Sequence, residues 1–174
     1  MGLRRIIING NNINNNNNSI DDFVVYIERS ITYLENSIIT EVRDNAFNSC
    51  SKLTTVLLPN VTKIGYGAFI SCSRLSNISL PKVSTLGDNS FYKCTSLIEV
   101  NLLEAINIER RAFYYCSSLK KIFLPNTTNI GNDSFSGCNS LVEIHFSLKN
   151  KEIIESLNGY PTKFGASKAT IYFD

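Results

Sequence analysis

The chain has 174 residues, 43% of them hydrophobic, and a formal net charge of +2 with acids and bases interspersed along it. That is ample apolar material for a folded core, but it lacks the basic stripe with which a nucleic-acid binder neutralises phosphates. No window approaches the roughly 20 consecutive apolar residues of a membrane-spanning helix, so neither nucleic acid nor membrane insertion is expected.

Residues 1–19 open with two arginines and three isoleucines, an apolar run shorter than the about 7 to 15 residues of an export-signal core. The run Asn14 to Asn18 follows. A polar homopolymer has nothing to bury, and the segment is expected to be a disordered lead-in. Compartment is left open: cell surface or extracellular if the chain is part of a larger exported protein.

Residues 20–41 hold a weakened form of the pattern that follows. Ile20, Val24, Val25, Ile31 and Leu34 occupy apolar places, while Glu28 stands in a place held later by cysteine. The segment reads as a degenerate first coil that caps a stack.

From 42 to 147 the chain repeats every 22 residues. All five cysteines obey the step, at Cys50, Cys72, Cys94, Cys116 and Cys138, as do Phe47, Phe69, Phe91, Phe113 and Phe135. Leu53, Leu75, Leu97, Leu119 and Leu141 follow it too, each trailed by a β-branched residue at Val56, Ile78, Val100, Ile122 and Ile144. Small residues precede each phenylalanine, and Val42, Ile64, Leu86, Ile108 and Ile130 complete the set. Five copies with no insertion imply one solenoid coil per copy, with equivalent residues stacked about 4.8 Å apart where neighbouring coils pair as strands. In "LSNISL" the last two apolar residues alternate inward, as a strand requires.

The motif L-x-x-I/V-x-L is that of leucine-rich repeats. More narrowly, "IGYGAFISCSRLSNISLP" resembles the BspA-like leucine-rich-repeat family of surface proteins, over residues 42–147. The resemblance implies a solenoid with a parallel strand per coil, an irregular or short-helical convex side and caps at both ends. It also implies a surface or adhesion-type role. Arg43 and Glu109 depart from the family's glycine, and Leu103 from its proline. A place that accepts arginine and glutamate does not demand positive φ, so Gly65, Gly87 and Gly131 are expected to serve close packing or an easy turn.

After 147 the period is lost. "NKEIIESLNG" reads as a short helix with Asn150 as N-cap and Gly159 as terminator, and "ATIYFD" as a last strand. Residues 148–174 thus form the expected C-terminal cap.

Nothing in the pattern points to catalysis. The cysteines form a parallel line with no C-x-x-C pair, which suits buried reduced thiols better than zinc or disulfides. His145 has no triad or metal set in sequence, Asp21 and Asp22 are adjacent and point apart in a strand, and the glycines form no phosphate loop. No enzyme, metal or cofactor is expected. The four Asn-x-Ser/Thr matches carry little weight in so Asn- and Ser-rich a chain.

What the motif leaves free lies between the inward residues of each strand. One outward ladder is Thr55, Asn77, Glu99, Lys121 and Glu143; a second is Leu57, Ser79, Asn101, Phe123 and His145. These places vary while their neighbours stay fixed, which marks them as the candidate ligand face for a protein or glycan. Phe123, beside Lys120 and Lys121, is the expected anchor. The alternative is a structural spacer in a larger surface or virion-like assembly.

Overall fold

A computed structural model describes residues 30–157 and 159–174 in full and the backbone of 5–7 and 19–20. Expectations for Asn14 to Asn18, Asp21, Asp22, Val24, Val25 and Glu28 lie outside the described residues. The strands, in chain order, are β1 (Arg5–Ile7), β2 (Ser19–Ile20), β3 (Tyr33–Glu35), β4 (Glu41–Val42), β5 (Thr55–Leu57), β6 (Lys63–Ile64) and β7 (Asn77–Ser79). They continue as β8 (Thr85–Leu86), β9 (Glu99–Asn101), β10 (Asn107–Ile108), β11 (Lys121–Leu124), β12 (Asn129–Ile130), β13 (Glu143–Phe146) and β14 (Thr170–Phe173).

The chain is a parallel β-solenoid of leucine-rich-repeat type, and each 22-residue coil contributes two short strands. Odd-numbered strands and β14 line one wall, the strand face; even-numbered strands form a second ladder, β2 to β12, that the sequence pattern had not separated from turn. All pairs are parallel and in phase with the repeat, as in Val56↔Ile78 and Ile64↔Leu86. A one-residue slip would turn every inward aliphatic to solvent, which is why the period fixes the register.

Near the start of the chain, Arg5–Ile7 pairs with β3, Ile6 opposite Leu34. The open edge of β3 supplies backbone partners that a run read alone does not reveal.

The third wall is turn, with no helix among the described residues of the coils. Two residues per coil take a left-handed backbone. One set is Asn45, Gly67, Asn89, Arg111 and Asp133; the other is Ser49, Ser71, Lys93, Tyr115 and Gly137, with φ between 55° and 78°. That conformation aims the amides along the stack. Ser71 N donates to Tyr92 O at 2.8 Å and Phe69 N to Ser90 O at 2.7 Å, and the pattern recurs from coil to coil. Backbone bonding between coils outweighs the cost of left-handed φ at residues such as Arg111 and Tyr115. The glycines of the motif do something else: a Cβ on Gly65 would lie 2.6 Å from Asp44 N, and one on Gly87 2.8 Å from the Gly65 carbonyl carbon. Their role is close packing, as expected.

Inside, the five phenylalanine rings form one column, centroids 5.1 to 5.8 Å apart and planes within 11°. The cysteines, leucines and β-branched residues of the repeated motif fill the rest and are buried, with Ile78 the exception among them. At the C-terminal end α1 (Lys151–Ser156) lies over the last coil with Ile154 buried. Asn150 precedes α1 but makes no side-chain cap; its amide donates instead to the Pro125 and Thr127 carbonyls at 3.2 and 3.3 Å, tying the cap to the stack. The helix ends at Ser156, three residues before Gly159, which takes φ +83° in the following turn.

Candidate functional site on the strand face

On a strand face, residues between inward neighbours must point outward. The structure places Thr55, Asn77 and Tyr33 in one row of the β3–β5–β7 part, with Glu35, Leu57 and Ser79 in the other. The β9–β11–β13–β14 part carries Glu99, Lys121, Glu143 and Thr170 in one row and Asn101, Phe123, His145 and Tyr172 in the other. The two parts do not pair with each other, so the continuous ladders read from the sequence are interrupted between β7 and β9.

The side chains that come together lie at the C-terminal end. The Phe123 and His145 rings stack with centroids 4.7 Å apart, and His145 stacks on Tyr172 at the same distance. Phe123, expected as a freely exposed anchor, is half-buried because one ring face rests on His145. His145 keeps 17% of its side chain exposed, and Tyr172 keeps 40%.

Charges alternate beside this aromatic row. Lys121 Nζ lies 2.8 Å from Glu143 Oε2, and the same oxygen lies 3.1 Å from His145 Nε2. The other ring nitrogen, Nδ1, meets Asp174 Oδ2 at 2.5 Å. Partial burial opposes charge on His145, but the hydrogen bonds and charges of Asp174 and Glu143 outweigh it and raise its pKa above the ordinary imidazole value. The hydrogen bond from Lys121, followed by that from His145, holds the Glu143 carboxyl below its ordinary range.

Tyr172 and Asp174 were missed by reasoning from the period. They sit 27 and 29 residues from His145, outside the 22-residue step. The available signal was the likeness of "TIYF" to "EIHF": both alternate inward aliphatic and aromatic residues, and both put an aromatic ring in the outward place. No group of three or more His, Cys, Asp or Glu among the described residues could hold a metal ion. No described helix is long and apolar enough to cross a membrane.

The BspA type leucine-rich repeat region matches residues 40–160 in six copies. The chain belongs to this family. It is similar to the crystal structure of a Treponema pallidum leucine-rich repeat protein, with 27% identity, a TM-score of 0.65, and coverage of 78% of this chain and 63% of that one. A Bacteroides ovatus leucine-rich repeat protein is similar in fold, at 23% identity and a TM-score of 0.59, with coverage of 90% and 42%. A leucine-rich cell surface protein of Faecalibacterium prausnitzii is similar at 28% identity and a TM-score of 0.51, with coverage of 74% and 42%. The chain thus spans from 42% to 63% of the length of these solved structures. No curated protein matches it.

Proposed function

We propose that the domain is a non-catalytic binding module of a surface or adhesion-type protein, and that it engages a protein partner through the Phe123–His145–Tyr172 row. The observation that carries this is the row itself: three rings in one stack, bordered by Lys121, Glu143 and Asp174. Aromatic groups held rigid by their neighbours present large area with little further entropy to lose on binding. Both faces of the His145 ring are covered, and Phe123 and Tyr172 each have one face covered by it. His145 therefore offers only its edge, while Phe123 and Tyr172 each keep one face clear of it. The alternating charges of Lys121, Glu143 and Asp174 beside the row favour a protein surface over a neutral glycan.

The test is a pull-down from candidate partner surfaces with the full chain and a Phe123→Ala, Tyr172→Ala variant of matched secondary structure. Specific capture lost in the variant supports the reading. Equal capture by the two forms moves the binding off this row, and no capture by the unmodified chain favours the spacer role.

A further inference from the structure

We propose that the strand face holds a slot between β7 and β9 that takes an extended peptide segment of a partner protein as an added parallel strand. At other junctions on this wall the backbone pairs closely: Leu58 N donates to Ser79 O at 3.0 Å, Leu102 N to Phe123 O at 3.1 Å, and Lys120 N to Ile98 O at 2.8 Å. At the β7–β9 junction the equivalent amides, Leu80 N and Ile98 N, have no partner among the described residues. The two strands do not pair, and most of their Cα–Cα separations exceed 8 Å.

The opening is confined to this wall. The same two coils remain closed behind it, with Phe69 and Phe91 stacked at 5.1 Å and Leu86 paired with Ile108 in the second ladder. The result is a slot with a closed back. A strand inserted midway needs its two neighbours about 9.6 Å apart, twice the ordinary strand spacing. One side of the slot offers the Leu80 amide and Ser76 carbonyl, the other the Ile98 amide and Asn101 carbonyl. Unpaired edges of this kind are templates for strand addition.

The lining sets the chemistry of the occupant. Ile78 is only partly buried, whereas Val56, Val100, Ile122 and Ile144 in the same inward place are buried. An aliphatic side chain in the middle of the added strand would cover it. Its outward neighbours would stand between Asn77 and Glu99 on one side and between Ser79 and Asn101 on the other. Glu99 has no cationic group in ion-pair contact among the described residues, because Lys121 is drawn to Glu143. The preferred segment therefore reads basic, aliphatic, small polar, aliphatic. The slot adjoins the aromatic row, since Asn101 stands opposite Phe123, but its binding groups are the Leu80 and Ile98 amides, so either can fail without the other.

The test is amide hydrogen exchange on the full chain, with and without the blocked peptide Ser-Lys-Val-Thr-Leu-Pro. In the free protein, Leu80 and Ile98 amides are expected to exchange at least about tenfold faster than those of Leu58 and Lys120, and the peptide to slow them by about as much. A peptide with Pro in place of Val, which lacks the central N–H, is expected to give no protection. The same protection in the Phe123→Ala, Tyr172→Ala variant keeps the slot distinct; protection abolished there overturns a separate site. The proposal is also overturned if Leu80 and Ile98 are already protected in the free protein, or if millimolar peptide leaves them exchanging freely.

Discussion

The Cys94 thiol lies 3.1 Å from the carbonyl oxygen of Phe69, 25 residues earlier in the chain, and donates to it. The same bond joins Cys72 to Phe47, Cys116 to Phe91 and Cys138 to Phe113. Each thiol is small enough for the column beside the rings and still supplies a weak donor, which Ala or Val would not. Burial pushes the Cys94 and Cys116 thiols well above their ordinary pKa, so the reactive thiolate is suppressed. In the native protein the five thiols are expected to resist a thiol reagent and to react together on unfolding. Cys94→Val should destabilise by about 1–2 kcal/mol through the lost donor and altered shape, read by denaturant titration. Rapid labelling of native protein would overturn the buried column.

Phe91 sits mid-column, fully buried between Phe69 and Phe113. Phe91→Ala is expected to cost about 3–5 kcal/mol, as for other large core truncations. Phe47 has a described ring on one side only, so Phe47→Ala should cost less. A melting temperature unmoved by Phe91→Ala would mean that the column is not core.

Two serines occupy the small place before phenylalanine and predict opposite outcomes. The Ser134 hydroxyl donates to the Gly131 carbonyl at 2.6 Å, whereas the Ser90 hydroxyl is buried with no partner among the described residues. Ala46, Ala68 and Ala112 show that a methyl fits this place. Ser90→Ala should therefore stabilise by about 1 kcal/mol and Ser134→Ala destabilise by a similar amount. Chemical denaturation of the two variants measures the contrast; equal effects would mean the Ser90 hydroxyl finds a partner after all.

The solenoid was legible because five copies in one chain separate fixed from free places. Phe69 and Cys72 could be assigned inward by comparison with their own repeats. The left-handed turn places could not, since Arg111, Lys93 and Tyr115 are poor formers of that conformation and only bonding between coils holds them there. The β7–β9 opening was equally hidden: Ile78 and Val100 follow the motif, and a local loss of pairing leaves no mark on spacing. Half of the aromatic row's chemistry was lost with the period, because Tyr172 and Asp174 arrive after the cap helix.

His145 gives the site a pH dependence whose sign follows from its neighbours. Glu143 and Asp174 meet its two ring nitrogens, Lys121 shares the Glu143 carboxylate with it, and Phe123 and Tyr172 lie on its two faces. Its folded pKa is raised, so the stabilisation it supplies is complete below about pH 6.5, the unfolded value, and is lost as pH rises through the folded one. Glu143 runs the other way: its folded pKa is lowered, so its contribution holds above about pH 4.3 and fades as pH falls through the lower folded value. Together they place the strongest coupling between those limits. His145→Gln should lower the melting temperature more at pH 6 than at pH 9. NMR titration of the single imidazole should give a pKa above that of free histidine, and Asp174→Asn should bring it down. An imidazole titrating at or below the ordinary value would mean that the two carboxylates do not hold the ring in solution.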